Sequence, residues 1–167
     1  MYKHLTVIAL ALVLLLGAST ASALDYKAWV PLLPESISGL DKAGEPNGAN
    51  MEKSGESWAT VQQDYSDGSG EEVTLTIVAG GMSPQLQQFR AMKQFTMETG
   101  EKLVKTSKVS GYESILELRK QKNSGTLLIH VNKKTIVVIE SNSVKNKDEL
   151  ISMADDVSLS DIKSQKY

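Results

Sequence analysis

The chain has 167 residues, with 18 Lys and Arg against 20 Asp and Glu, a net charge of −2 and no cysteine. Without cysteine there are no disulfides, no thiolate catalysis and no cysteine-ligated metal, so the fold has to rest on an apolar core. The charge balance lacks the basic footprint of a nucleic-acid-binding protein, and the length predicts one domain.

Residues 1–23, "MYKHLTVIALALVLLLGASTASA", carry a cationic start at Lys3, an apolar run from Leu5 to Leu16 and small residues ending in Ala21-Ser22-Ala23. That order is the one of a secretory signal peptide, and the apolar run is short for a spanning helix. The expectation is an exported protein, periplasmic or extracellular, with no transmembrane segment after the leader. Removing the leader removes one lysine and no acid, which leaves a net charge of −3.

Residues 24–50 form a proline-containing N-terminal segment. Pro31 and Pro34 rule out one long helix there. Tyr26, Trp29, Leu32 and Leu33 have two possible fates: a strap packed on the domain, or an exposed interaction surface for a protein or envelope component. Residues 38–51 read as loop with at most one weak strand, because Gly44, Pro46 and Gly48 interrupt any period.

Residues 51–167 read as a single α+β domain. In "ESWATVQQDYSDGSGEEVTLTIVAGG", Ala59, Val61 and Tyr65 alternate with polar neighbours, as do Val73, Leu75, Ile77 and Ala79 around Asp67-Gly68-Ser69-Gly70. The period of two and the β-branched content predict a hairpin. Ser83 and Pro84 then start a helix carrying Leu86, Phe89, Met92, Phe95 and Met97, ending near Gly100 or continuing to Val104. "GYESILELRK" predicts a strand with one partly wet face, like an edge strand.

"TLLIHVNKKTIVVIES", residues 126–141, is apolar on both strand faces and predicts a hairpin buried between layers. With Asn132-Lys133 as the turn, Ile129 faces Ile136 and Leu127 faces Val138. A last helix capped by Asn146 or Asp148 follows, with Leu150, Ile151, Met153, Ala154 and Val157 inside, and then Leu159 and Ile162. The expected fold is α+β, a mostly antiparallel sheet of about five to six strands with helices packed on its faces.

Histidine is the residue whose ordinary pKa suits acid–base work near neutrality, and His130 is the one candidate after the leader. No D-x-H, H-x-x-H or H-E-x-x-H pattern surrounds it, so it reads as a half-buried residue at a sheet end. The acids Asp64, Asp67, Glu71 and Glu72 do not match a calcium-loop spacing and read as a solvated turn. Gly80 and Gly81 lack the lysine of a phosphate loop. The methionines are scattered, without a soft-metal cluster. No catalytic, cofactor or metal site is therefore assigned. The leading expectation is a non-enzymatic binding or accessory protein of the cell envelope. The competing one is a metal-binding protein or hydrolase using His130 with nearby carboxylates.

The order of hairpin, helix, strands and closing helix behind a leader resembles the PsbP-like group of small α-β-α sandwich proteins, which includes periplasmic bacterial members. The resemblance rests on "SWATVQQDYSDGSGEEVTLTIVAGG", the helix from Ser83, and "GTLLIHVNKKTIVVIE" with its closing helix, roughly Met51 to Ile162. It implies a binding or assembly module and transfers no site residue.

Overall fold

The computed structural model describes residues 24–166; the leader reading falls outside them. Nine strands form one sheet: β1 (Ser36–Ile37), β2 (Leu40–Lys53), β3 (Glu56–Ser66), β4 (Glu72–Ala79), β5 (Met97–Glu98), β6 (Lys102–Val109), β7 (Tyr112–Arg119), β8 (Ser124–Asn132) and β9 (Thr135–Ser141). Their order across the sheet is β1-β2-β3-β4-β9-β8-β7-β6-β5, and every neighbouring pair is antiparallel. This corrects the expected α+β fold of five to six strands: the sheet dominates, and its helices are short. They are α1 (Pro84–Met92), α2 (Lys147–Ser152) and α3 (Leu159–Ser164).

The extra strands come from three places where local sequence is a poor guide. β2 falls in the stretch that reads as loop with at most one weak strand. It is instead a long strand zipped to β3, from Asp41 opposite Ser66 to Lys53 opposite Glu56. Its glycines and Pro46 are absorbed by a bulge between Ala43 and Asn47. There Gly44 takes φ +77°, and the buried Gln63 amide donates to the carbonyls of Ala43 and Gly44 at 3.5 and 3.2 Å. A side chain from the next strand thus satisfies backbone acceptors that the bulge frees.

β5 and β6 replace the second half of the expected helix. Ser83 caps α1 by accepting from the Leu86 N–H, and Pro84 opens it, but the helix stops at Met92. Met97 pairs with Val104 in the sheet, and Phe95 is left exposed. Tertiary pairing outweighs helix propensity once Thr96, which is β-branched, leads into a strand partner. With β6 in place, β7 is an interior strand and not the edge expected from its charges.

The β8–β9 hairpin is buried on both faces, but its register is shifted. Ile129 lies opposite Val137 and His130 opposite Ile136, with an irregularity before Asn132–Thr135. The turn is Lys133-Lys134, held by the Asn132 side chain accepting from the Lys134 N–H at 2.9 Å. A slip by one residue moves every β9 side chain to the other face. Leu127, Ile129, Val137 and Ile139 therefore share one core, while Leu128, Ile136 and Val138 share the other.

The two faces are covered unequally. The first carries the larger core, closed by α2, α3 and the N-terminal segment. Gly125 lets α2 approach β8: a Cβ there would lie 2.8 Å from Leu150 and 2.9 Å from Leu118. Asn146 caps α2 by accepting from the N–H groups of Asp148 and Glu149 at 3.0 Å, and Glu149 reaches back to Lys145 N–H. The N-terminal segment makes two 3-10 turns, Tyr26–Ala28 and Val30–Leu32. Tyr26 lies against Gly48, its N–H donates to Asn50 at 2.8 Å, and Gln165 donates to the Ala28 carbonyl at 3.3 Å. Among the described residues, the second face carries α1 alone.

Candidate functional site

α1 crosses the sheet and divides its second face. Leu86 and Phe89 are buried beneath it. Phe89 packs with Val78, Val104, Ile115, Leu128, Ile136 and Val138. Beyond the helix the same strands turn polar. One cross-strand row runs Asp64, Thr74, Glu140, Thr126, Glu117, each directly opposite the next through β3, β4, β9, β8 and β7. The side-chain period of two puts this row on the same face as Val138 and Leu128.

Between the row and α1 lies a groove of about 280 Å³. Gln85, Gln88 and Met92 form its helix wall, Ile115, Leu128 and Val138 its apolar floor, and Glu117, Arg119 and Glu140 its charged lip. Shallower clefts continue it toward β2, past Asn47 and Gln62, and downward past Glu72 and Asn142.

The three carboxylates of the row are in different states. Asp64 accepts from the Thr74 hydroxyl at 2.7 Å and from Gln62 at 3.3 Å. Glu117 holds Lys102 at 3.0 Å and the Arg119 Nε at 3.2 Å. Glu140, between them, is exposed and has no hydrogen-bond or ion-pair partner among the described residues. On the helix wall, the buried Gln85 Oε1 has no partner among the described residues either. The lining is mostly polar, and the apolar side chains at its base are almost wholly buried under α1.

His130 lies on this face but on the other side of α1. Its ring stacks on Phe89, with centroids 5.0 Å apart and an interplanar angle of 23°. Burial lowers its pKa; Glu113 opposite it acts to raise it, while Arg90 and Lys93 lower it further. Its side chain has no hydrogen-bond partner among the described residues, so no group there orients a tautomer for catalysis. Among those residues, no three His, Cys, Asp or Glu side chains are grouped to hold a metal ion. The acidic turn is tied by Asp67, which accepts from the Ser69 N–H and hydroxyl at 2.8 and 2.6 Å; these bonds lower its pKa.

Of the N-terminal residues, Trp29 and Leu33 are 2 % and 4 % exposed and belong to the first core, while Tyr26 and Leu32 are half-buried against it. Gly80 takes φ +129° with Trp58 beside it, where a Cβ would lie 2.6 Å from the Ser57 carbonyl; this is close backbone packing and not a phosphate cradle.

Sequence reasoning missed the groove. Its signal was present as interruptions: Glu117 and Arg119 in one apolar strand, Thr74 and Thr76 in another, Glu140 closing a third. Only the strand order brings them together. No family model, curated protein or solved structure matches the chain. Among the described residues, no helix is long and apolar enough to cross a membrane.

Proposed function

We propose that this is an exported, non-enzymatic binding protein of the cell envelope that holds a small ligand in the groove beside α1. The observation that carries the reading is the unequal cover of the sheet. One face is sealed by three elements, whereas the other leaves a largely polar groove beside α1, where the Glu140 carboxylate and the buried Gln85 Oε1 are unpaired among the described residues. Leaving the buried Gln85 Oε1 unsatisfied costs stability, and a ligand toward which the Gln85 amide turns recovers that cost on binding. The leader-like N-terminus supports export.

Native mass spectrometry of the full chain prepared from its own envelope tests this, alongside a Thr126→Trp variant that fills the groove from its polar edge. The expected result is a small-molecule adduct on the wild type that is missing from the variant. Identical spectra carrying the adduct, or no adduct on either, contradict the reading.

A further inference from the structure

The two edges of the sheet are finished differently. At one, β5 covers Leu103 and Val104 of β6, and the rest of that strand carries Lys105 and Lys108, both exposed. A short covering strand and edge lysines are what keep an edge from pairing with another chain. At the other edge, β1 and the Glu35 carbonyl reach only Leu40, Asp41 and Lys42 of β2. Pro46 and the bulge between Ala43 and Asn47 then interrupt the strand. From Asn47 to Lys53 it runs straight, paired to β3 on its inner side. On its outer side, no partner among the described residues takes the backbone N–H and C=O groups. Asn47, Ala49, Asn50, Glu52 and Lys53 are exposed, and the side chains are uncharged as far as Met51. The Tyr26 N–H donates to the Asn50 side chain at 2.8 Å, which steadies the strand without using its backbone edge.

We propose that this edge pairs with a second copy of the same chain, the two β2 strands lying antiparallel about a twofold axis at Ala49 or Asn50, so that two sheets become one. The strand is complementary to itself. Residues directly opposite must share a face, so a self-paired strand turns about a residue and not about a peptide bond. About Ala49, Asn47 meets Met51 and Gly48 meets Asn50, while Lys53 runs out toward the exposed Glu45 in the bulge. About Asn50, Lys53 meets Asn47 and Glu52 meets Gly48. Neither register sets like charges opposite, the arrangement that would oppose pairing. The axis stands perpendicular to the sheet, so both grooves beside α1 open on the same side of the dimer.

Sedimentation equilibrium of the chain purified after export tests this. The wild type is expected to pass from monomer to dimer with a Kd on the order of 10–100 µM, since a single strand pair is a small interface. Exchange of the amide hydrogens between Asn47 and Lys53 should slow as the concentration rises. Ala49→Lys brings two lysines together across the axis and should weaken association about fivefold or more, as should Ala49→Glu. An equimolar mixture of the two variants should restore it. Lys105→Gln, at the other edge, should change nothing. Ala49 is exposed, so melting temperatures in dilute solution should match the wild type and confirm folded variants. A monomer at every concentration up to about 1 mM overturns the proposal, as does a dimer that survives both variants or a mixture that fails to associate. Protection of the β2 amides that arises only when another envelope protein is added would give the edge to a foreign strand and overturn the second copy.

Discussion

The two faces of this sheet are made from the same strands and have opposite finish. On the first, Leu127, Ile129, Val137 and Ile139 are fully covered by α2, α3 and the N-terminal segment. On the second, cover ends at α1, and strands that are apolar beneath the helix become a polar row beyond it. Adjacent residues on one strand, Leu127 and Thr126, therefore belong to different regimes. The first face is built for stability, and the second keeps surface available at a cost in burial.

The largest test of that contrast is a pair of substitutions side by side on β8. Ile129→Asp places a charge at a position with no exposure and should prevent folding, because an unpaired buried charge costs several kcal/mol. Thr126→Asp, on the open row, should still fold, at a cost of about 1 kcal/mol from the like charges of Glu117 and Glu140 directly opposite. Equal damage from both, read by thermal melting, would erase the distinction between the faces.

The next test concerns what closes the first face. Trp29→Ala should cost about 3–5 kcal/mol, as expected for deleting a large buried aromatic. Unchanged stability would return Tyr26, Trp29, Leu32 and Leu33 to the role of an interaction surface. Gly125→Ala should cost about 1–3 kcal/mol, because its Cβ would press on Leu150, Leu118 and Val144 and push α2 off the sheet. Tyr65→Phe should cost about 1 kcal/mol, since its buried hydroxyl donates to the Pro34 carbonyl at 2.9 Å. Desolvation, with Glu35 adding to it, raises the phenol pKa, so this bond persists at any physiological pH.

The smallest expected effect belongs to His130, on the second face. Its pKa is depressed in the folded protein, so the unfolded chain binds the proton more readily. Stability is then full above the ordinary histidine value near 6.5 and declines as pH falls through the lower, folded value. His130→Gln should flatten that slope in pH-dependent melting and leave ligand binding intact. A many-fold loss of binding with the fold intact would make His130 part of the site.

Much of the first face was legible in the sequence, and little of the second. Alternation located β3 and β4, the stretch apolar on both faces located β8 and β9, and Ser83 and the pair of candidates Asn146 and Asp148 marked the starts of α1 and α2. What failed was whatever depends on a distant partner. The "DKAGEPNGAN" segment becomes strand because β3 offers a ladder and Gln63 mends the bulge. The wet side of β7 is not an edge, because β6 lies beyond it, and so Glu117 and Arg119 line a groove. The β9 side chains were placed on the wrong faces by one step of register, since an Asx turn centred on Asn132 shifts the hairpin by a residue.

The central claim is that the second face binds and the first face supports. Amide chemical-shift mapping of the labelled full chain, with the small-molecule fraction of its own envelope added, tests it most directly. The account predicts shifts at Thr76, Gln88, Thr126 and Glu140 around the groove, with Trp29, Leu150 and Ile162 unmoved. Shifts confined to Trp29 and the C-terminal helices, with the groove silent, would contradict it.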